Sequence, residues 1–175
     1  MLNKIKVNLA ESIALKKFTK TQNFGNNFKH FISDAKDILV ILPEKFDDIN
    51  KALKVIEFLN SEKKNLYLFY NIDVANYLPT GLNFISVNYK ENDITKIGLP
   101  SKDLLSKIEI IFFDFIIDLN IEDCIFSSVI ANAPRSNYRI GFSKENADKF
   151  YNFQVPVEIN SEKSYRNLLN SLRMF

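Results

Sequence analysis

At 175 residues, with 46 % hydrophobic and 25 % charged, the chain suits one domain with a substantial core. A net charge of +2 is too weak to argue for nucleic acid, the single Cys124 excludes an internal disulfide and fits a reducing compartment, and the single His30 argues against a histidine-based metal site or triad. No stretch reaches the roughly 18 apolar residues of a membrane span, and the N-terminus lacks a signal-peptide pattern, so a cytoplasmic protein is expected.

The chain opens on a basic arm. Residues 1–37 hold seven Lys against Glu11, Asp34 and Asp37, a balance of +4, which leaves the remainder at −2. Ser12 to Thr19 reads as helical, with Leu9 and Ile13 on one face. Asn23, Gly25, Asn26 and Asn27 break the pattern, and Phe28, Phe31 and Ile32 predict a second short helix tucked onto the body. Residues 1–36 are thus expected as a helical arm packed on a domain of residues 37–175. The lysines are read as solvated, with peripheral contact to an anionic membrane as the sharper alternative.

Ile38 to Leu42, ILVIL, is a buried strand ended by Pro43. Asp47 or Asp48 can cap the next helix, where a carboxylate meets free N–H groups and the positive dipole end. Ile49, Leu53, Ile56 and Leu59 give that helix its apolar face. Leu66 to Tyr70 is the second strand, Asp73 to Tyr77 a short helix, and Leu82 to Tyr89 the third strand. Lys90 to Pro100 is irregular. Ser101 caps a short helix that runs through Lys107.

The centre of the chain is Ile108 to Phe142. Its apolar opening, IEIIFFDFII, is stopped by Asp118, Leu119 and Asn120. A helix follows, with Asn120 as its expected cap and Ile121, Cys124, Ile125, Ser128 and Val129 on its buried face. Cys124 is read as a small core residue. Tyr138 to Phe142 is a last strand. Strand, helix and strand in about 35 residues form a βαβ unit, which implies a parallel sheet between helical layers, an α/β/α sandwich. Ser143 to Val157 reads as loop. Asn160 or Ser161 starts a final helix with Tyr165, Leu168, Leu169 and Leu172 on one face.

Open parallel sheets bind ligands beyond the C-terminal ends of their strands. That directs attention to residues 43–48, 71–73 and 118–123. With four glycines, and neither G-x-G-x-x-G nor a Walker loop, the chain offers no dinucleotide or P-loop signature. No cofactor and no metal is therefore expected. Asp48, with Asp47 beside it, is placed to accept a proton from a sugar hydroxyl; helix capping accounts for the same two residues. Asp118 is a ligand-binding candidate, or holds the following loop by hydrogen bonds. Asn120 joins it in that loop. Arg139 either pairs with an acidic neighbour or meets an anionic ligand.

FDFIIDLN, a helix with Ser127, Ser128 and Ala131, then Ala133 and YRIGF together resemble the N-terminal half of the glycosyltransferase family 9 enzymes, which include the ADP-heptose:lipopolysaccharide heptosyltransferases. In ILVILPEKFDDINKAL, Asp48 falls where that family has its proposed catalytic base, and SEKSYRNLLNSL resembles the helix that closes its first domain. The resemblance spans about residues 37–175. It implies a Rossmann-like domain, one half of a GT-B fold, in cell-envelope polysaccharide or lipopolysaccharide assembly. It departs from the family at Asp47, which replaces a Gly, and at Ala131-Asn132-Ala133. It also implies that the nucleotide-sugar half is missing and that the chain has little activity alone. A partner chain or homodimer would then bring the donor site to a glycan acceptor. The alternative is a non-catalytic module that binds a partner protein or glycan.

Overall fold

The computed structural model describes residues 2–19 and 31–175. The expected breaker at residues 23–27, Phe28 and His30 lie outside the described residues. Six strands form one all-parallel sheet: β1 (Asp37–Ile41), β2 (Asn65–Asn71), β3 (Ile85–Tyr89), β4 (Phe112–Asp118), β5 (Arg135–Phe142) and β6 (Phe153–Val155). Their order is β3-β2-β1-β4-β5-β6. The two most apolar strands, β1 and β4, are neighbours at the centre, in register from Ile38 opposite Phe115 to Ile41 opposite Asp118. With every strand parallel, each connection must cross over the sheet, and helices cover both faces.

Alternation along the strands divides the core in two. Ile38, Val40 and Leu42 point to one face, with Leu66, Leu68, Phe115, Ile117 and Ile140. Helices α3 (Phe46–Ser61) and α7 (Ser161–Leu172) close that face through Val55, Ile56, Leu59, Tyr165 and Leu168. Leu39, Ile41, Phe69 and Ile116 point to the other. There α4 (Lys102–Glu109), α5 (Ile125–Asn132) and α6 (Ala147–Phe150) supply Leu104, Ile108, Val129, Ile130 and Phe150. The result is the three-layer α/β/α, Rossmann-like architecture expected from the βαβ reading.

Several boundaries differ from expectation. The arm is a longer helix, α1 (Leu2–Phe18), whose Ala10 and Ala14 are fully buried in the second core; α2 (Phe31–Asp34) follows. The segment read as loop, residues 143–157, holds α6 and the edge strand β6. Three residues, one of them Gln154, make too short a run to show a period, so its pairing with β5 decides its structure. Asp73 to Tyr77 is a 3-10 helix from Ile72, and β3 starts at Ile85 rather than Leu82. Among the described residues, no helix is long and apolar enough to cross a membrane.

Candidate functional site

The strand order reverses between β1 and β4, and at this switch point the loops after the two strands diverge above the sheet. The crevice so formed is lined by Pro43, Glu44, Lys45 and Asp48 from one side and by residues 120–124 from the other, and encloses about 120 Å³. A second cleft, of about 260 Å³, opens between the loops after β1 and β2. Leu42, Pro43 and Glu44 line it together with Asn71, Asp73, Val74, Tyr89 and Ile94. Pro43 and Glu44 are common to both.

Asp118 ends β4 and is fully buried. Its Oδ1 accepts the Asn120 backbone N–H at 3.0 Å and Asn120 Nδ2 at 2.8 Å. Its Oδ2 accepts from Ser127 Oγ at 2.8 Å, from Lys144 Nζ at 3.3 Å and from the Tyr151 hydroxyl. Burial alone would raise this carboxyl, but the Lys144 charge and the hydrogen bonds from Tyr151 and Asn120 outweigh it, and its pKa lies below 3.8. Burial, and then the Asp118 charge, push the Tyr151 phenol well above its usual value. The carboxylate and the neutral phenol thus stabilise each other as acceptor and donor.

Lys144 is the cation of this cluster. Its side chain is 5 % exposed, and Nζ also donates to the carbonyls of Asn120 at 3.1 Å and Glu122 at 3.3 Å. It therefore holds the loop that walls the crevice. Tyr151 reaches Asp118 because residue 141 is glycine: a Cβ there would stand 2.8 Å from the Tyr151 ring. Neither Lys144 nor Tyr151 was flagged from sequence, since both lie in the segment read as loop. A signal did exist, because a glycine inside a strand marks a close approach by another group.

Asn120 is not a helix cap. Its side chain joins the two loops: Oδ1 accepts the Glu44 N–H at 2.8 Å and Nδ2 donates to the Leu42 carbonyl at 3.2 Å. Helix α5 begins later, at Ile125, where Cys124 Sγ accepts from the Ser127 N–H at 3.4 Å. The Cys124 thiol donates to Glu44 Oε1 at 3.0 Å, and burial, then the Glu44 charge, push its pKa up to about 12. Such a thiol is not a nucleophile at neutral pH.

Asp48 lies on the crevice wall and is 9 % exposed. Neither it nor Asp47 caps α3, because the helix starts at Phe46 and Lys45 holds the cap position without a side-chain bond. Both carboxylates sit in the first turn, where they complement the dipole. Asp47 is exposed. Asp48 Oδ1 accepts from Lys51 Nζ at 3.1 Å, and the same ammonium donates to Ser161 Oγ at 2.7 Å, which ties α3 to the start of α7.

Arg139 meets neither expectation. Its guanidinium is turned under α5 and donates to the carbonyls of Ala131 at 2.9 Å, Pro134 at 3.1 Å and Ser136 at 3.2 Å. Carbonyls at a helix C-terminus lack intrahelical partners, and a buried arginine satisfies them in place of an acid or ligand. The structure thus brings Asp48 and Asn120 to the wall of one crevice, with Asp118 buried behind Asn120, Asp47 outside it and Arg139 apart. Among the described residues, no group of three or more Asp, Glu, His or Cys is arranged to hold a metal ion.

No family model matches the sequence, and no curated protein matches it. The fold is similar to the crystal structure of a glycosyl transferase family 9 protein from Veillonella parvula, with a TM-score of 0.58 and 18 % identity. The similarity covers 78 % of this chain and 41 % of that one, so the chain spans less than half of the protein it matches. At this identity the likeness is one of fold.

Proposed function

We propose that the chain is a glycosyltransferase family 9-like domain in cell-envelope polysaccharide or lipopolysaccharide assembly, with Asp48 as the base that accepts a proton from an acceptor sugar hydroxyl. The observation that carries this reading is Asp48 on the wall of the switch-point crevice, in a fold similar to a family 9 structure. A carboxylate there can take a proton in the transition state if an acceptor hydroxyl comes within hydrogen-bond reach. Asn120 and Asp118 act on the acceptor indirectly, by keeping the facing loop in place. The donor nucleotide-sugar falls to a second domain or a partner chain, whose docking brings donor and acceptor together.

A second reading is a non-catalytic module for a glycan or partner protein. The Lys51 ammonium on Asp48 favours it, since it already occupies Oδ1 and an acceptor hydroxyl would have to compete with it for the carboxylate. Calorimetry with ADP-sugars and with charged and uncharged core oligosaccharides, joined to a transfer assay, separates the two. Transfer that falls roughly 100-fold or more in Asp48→Asn supports the enzyme. Oligosaccharide heat without transfer supports a glycan-binding module. No heat with any of these ligands leaves a protein partner.

A further inference from the structure

Resting on the glycan-site reading above, we infer that the cleft between the loops after β1 and β2 is a subsite for one sugar ring, fixed by a hydrogen bond from the Tyr89 hydroxyl. Among the described residues, four tyrosines are buried: Tyr70, Tyr89, Tyr151 and Tyr165. Tyr70 is bonded to Ser86 at 2.7 Å, Tyr151 donates to Asp118, and Tyr165 donates to the Leu119 carbonyl at 2.8 Å. Buried phenols ordinarily find such partners. Tyr89 ends β3 and is 6 % exposed, yet its hydroxyl bonds to none of the described residues.

Packing does not account for the oxygen. The Tyr89 ring stacks on Phe69, with centroids 5.0 Å apart and planes 15° from parallel, and meets Phe126 at 4.8 Å. A phenylalanine would fill the same place. The polar end belongs to the cleft, whose wall Tyr89 shares with Glu44. Burial, and then the Glu44 charge, push the phenol above its usual value, so it stays a neutral donor. With its ring held by two others, the donor is aimed before any ligand arrives.

The rest of the lining indicates what the donor meets. Leu42, Pro43, Val74 and Ile94 make an apolar wall, which suits the C–H face of a sugar ring. Glu44 Oε1 is taken by the Cys124 thiol, which leaves Oε2 to accept. A group that answers a donor and an acceptor at once is a hydroxyl. Charge does not choose the ligand: Glu44 and Asp73 line the cleft, while the exposed Lys90 and Lys96 follow closely on Tyr89 and Ile94. The volume of about 260 Å³ accommodates a single ring. Pro43 and Glu44 also wall the crevice of Asp48, so the sugar held here is the neighbour of the one presented to Asp48.

The test is an NMR titration of the chain and of Tyr89→Phe with uncharged core oligosaccharides, joined to thermal melts. Saccharide is expected to shift the amide signals of Asn71, Val74 and Ile94 in the wild-type chain. Tyr89→Phe should weaken binding roughly tenfold, the worth of one hydrogen bond to a buried donor. It should melt at the same temperature or higher, because no bond inside the fold is lost. Tyr165→Phe, which does lose one, should melt lower and calibrates the comparison. Equal binding by Tyr89→Phe and the wild-type chain overturns the inference, as does saccharide that shifts residues 120–124 but not the cleft; both leave the glycan-site reading standing. A melting temperature for Tyr89→Phe as low as that of Tyr165→Phe overturns it too, by giving the hydroxyl a role in the fold. No saccharide binding to the wild-type chain removes the reading on which the inference rests, and the inference with it.

Discussion

Lys144 and Asp118 form a buried ion pair whose members are 5 % and 0 % exposed. Such pairs add little net stability over an apolar pair, but removing one partner leaves an uncompensated charge. Lys144→Met is therefore expected to cost about 3–5 kcal/mol, read as a lowered urea midpoint. The pH dependence carries a second signature. The folded pKa of Asp118 is depressed, so its contribution is complete above the unfolded value of 3.8 and is lost as pH falls through the folded one. Without Lys144 the strongest influence holding that pKa down is gone, and the acid-side fall in stability should be shallower in the variant. Parallel wild-type and variant curves below pH ~4 would show that the pair is not responsible. Sequence made half of this cluster legible. Asp118 and Asn120 stand out because polar residues that stop an apolar run must find partners. Lys144 and Tyr151 do not, since their partner lies 26 and 33 residues away and local spacing carries no trace of it.

Among the elements, legibility followed burial. Strands β1 and β4 show as apolar runs, ILVI and FFDFII, interrupted only by Asp114, and they pair at the sheet centre. Helix starts were less legible, because several residues in a row can serve as caps. Asn160 does accept from the Glu162 N–H at the start of α7, but α3 starts at Phe46, ahead of both carboxylates, and α5 starts after Cys124 rather than Asn120. The end of α3 offers a direct test. Lys63 is exposed and adopts a left-handed backbone with φ of 56°, while its N–H donates to the Asn60 carbonyl at 3.2 Å. A side chain in that conformation clashes with the backbone, and glycine does not. Lys63→Gly is expected to stabilise the protein by about 0.5–1 kcal/mol, the left-handed strain less the added freedom of the unfolded chain. Thermal melts should show a rise in midpoint. A fall would mean that the Lys63 side chain contributes more than its backbone costs.

For the whole molecule, the main question is how far the parts depend on one another. The sheet is shared by both cores, so α3 with α7 on one face and α4 with α5 on the other cannot separate without exposing the same strands. Helix α1 is different. It lies outside α5, is seated through the fully buried Ala10 and Ala14 with Ile13, Leu15 and Phe18 half-buried beside them, and presents Ile5, Val7 and Leu9 largely to solvent. Its fully buried residues are small and its large ones are only partly covered, so it buries less apolar area than the central strands, and the stabilisation scales with that area. Local opening of α1 should therefore cost much less than opening of the sheet. Glu11, which accepts from Asn146 Nδ2 just before α6, is a polar tie that water can replace. Ala14→Asp tests this ranking, because a carboxylate at a fully buried position has no partner prepared for it. Hydrogen exchange is expected to rise throughout residues 2–18 in that variant, while Leu39, Val40, Ile116 and Ile117 at the sheet centre keep their protection. A matching loss of protection in the central strands would show instead that the arm and the sheet open as one cooperative unit. In that case α1 would be part of the domain, and its exposed apolar residues could not detach to meet another surface without unfolding the rest.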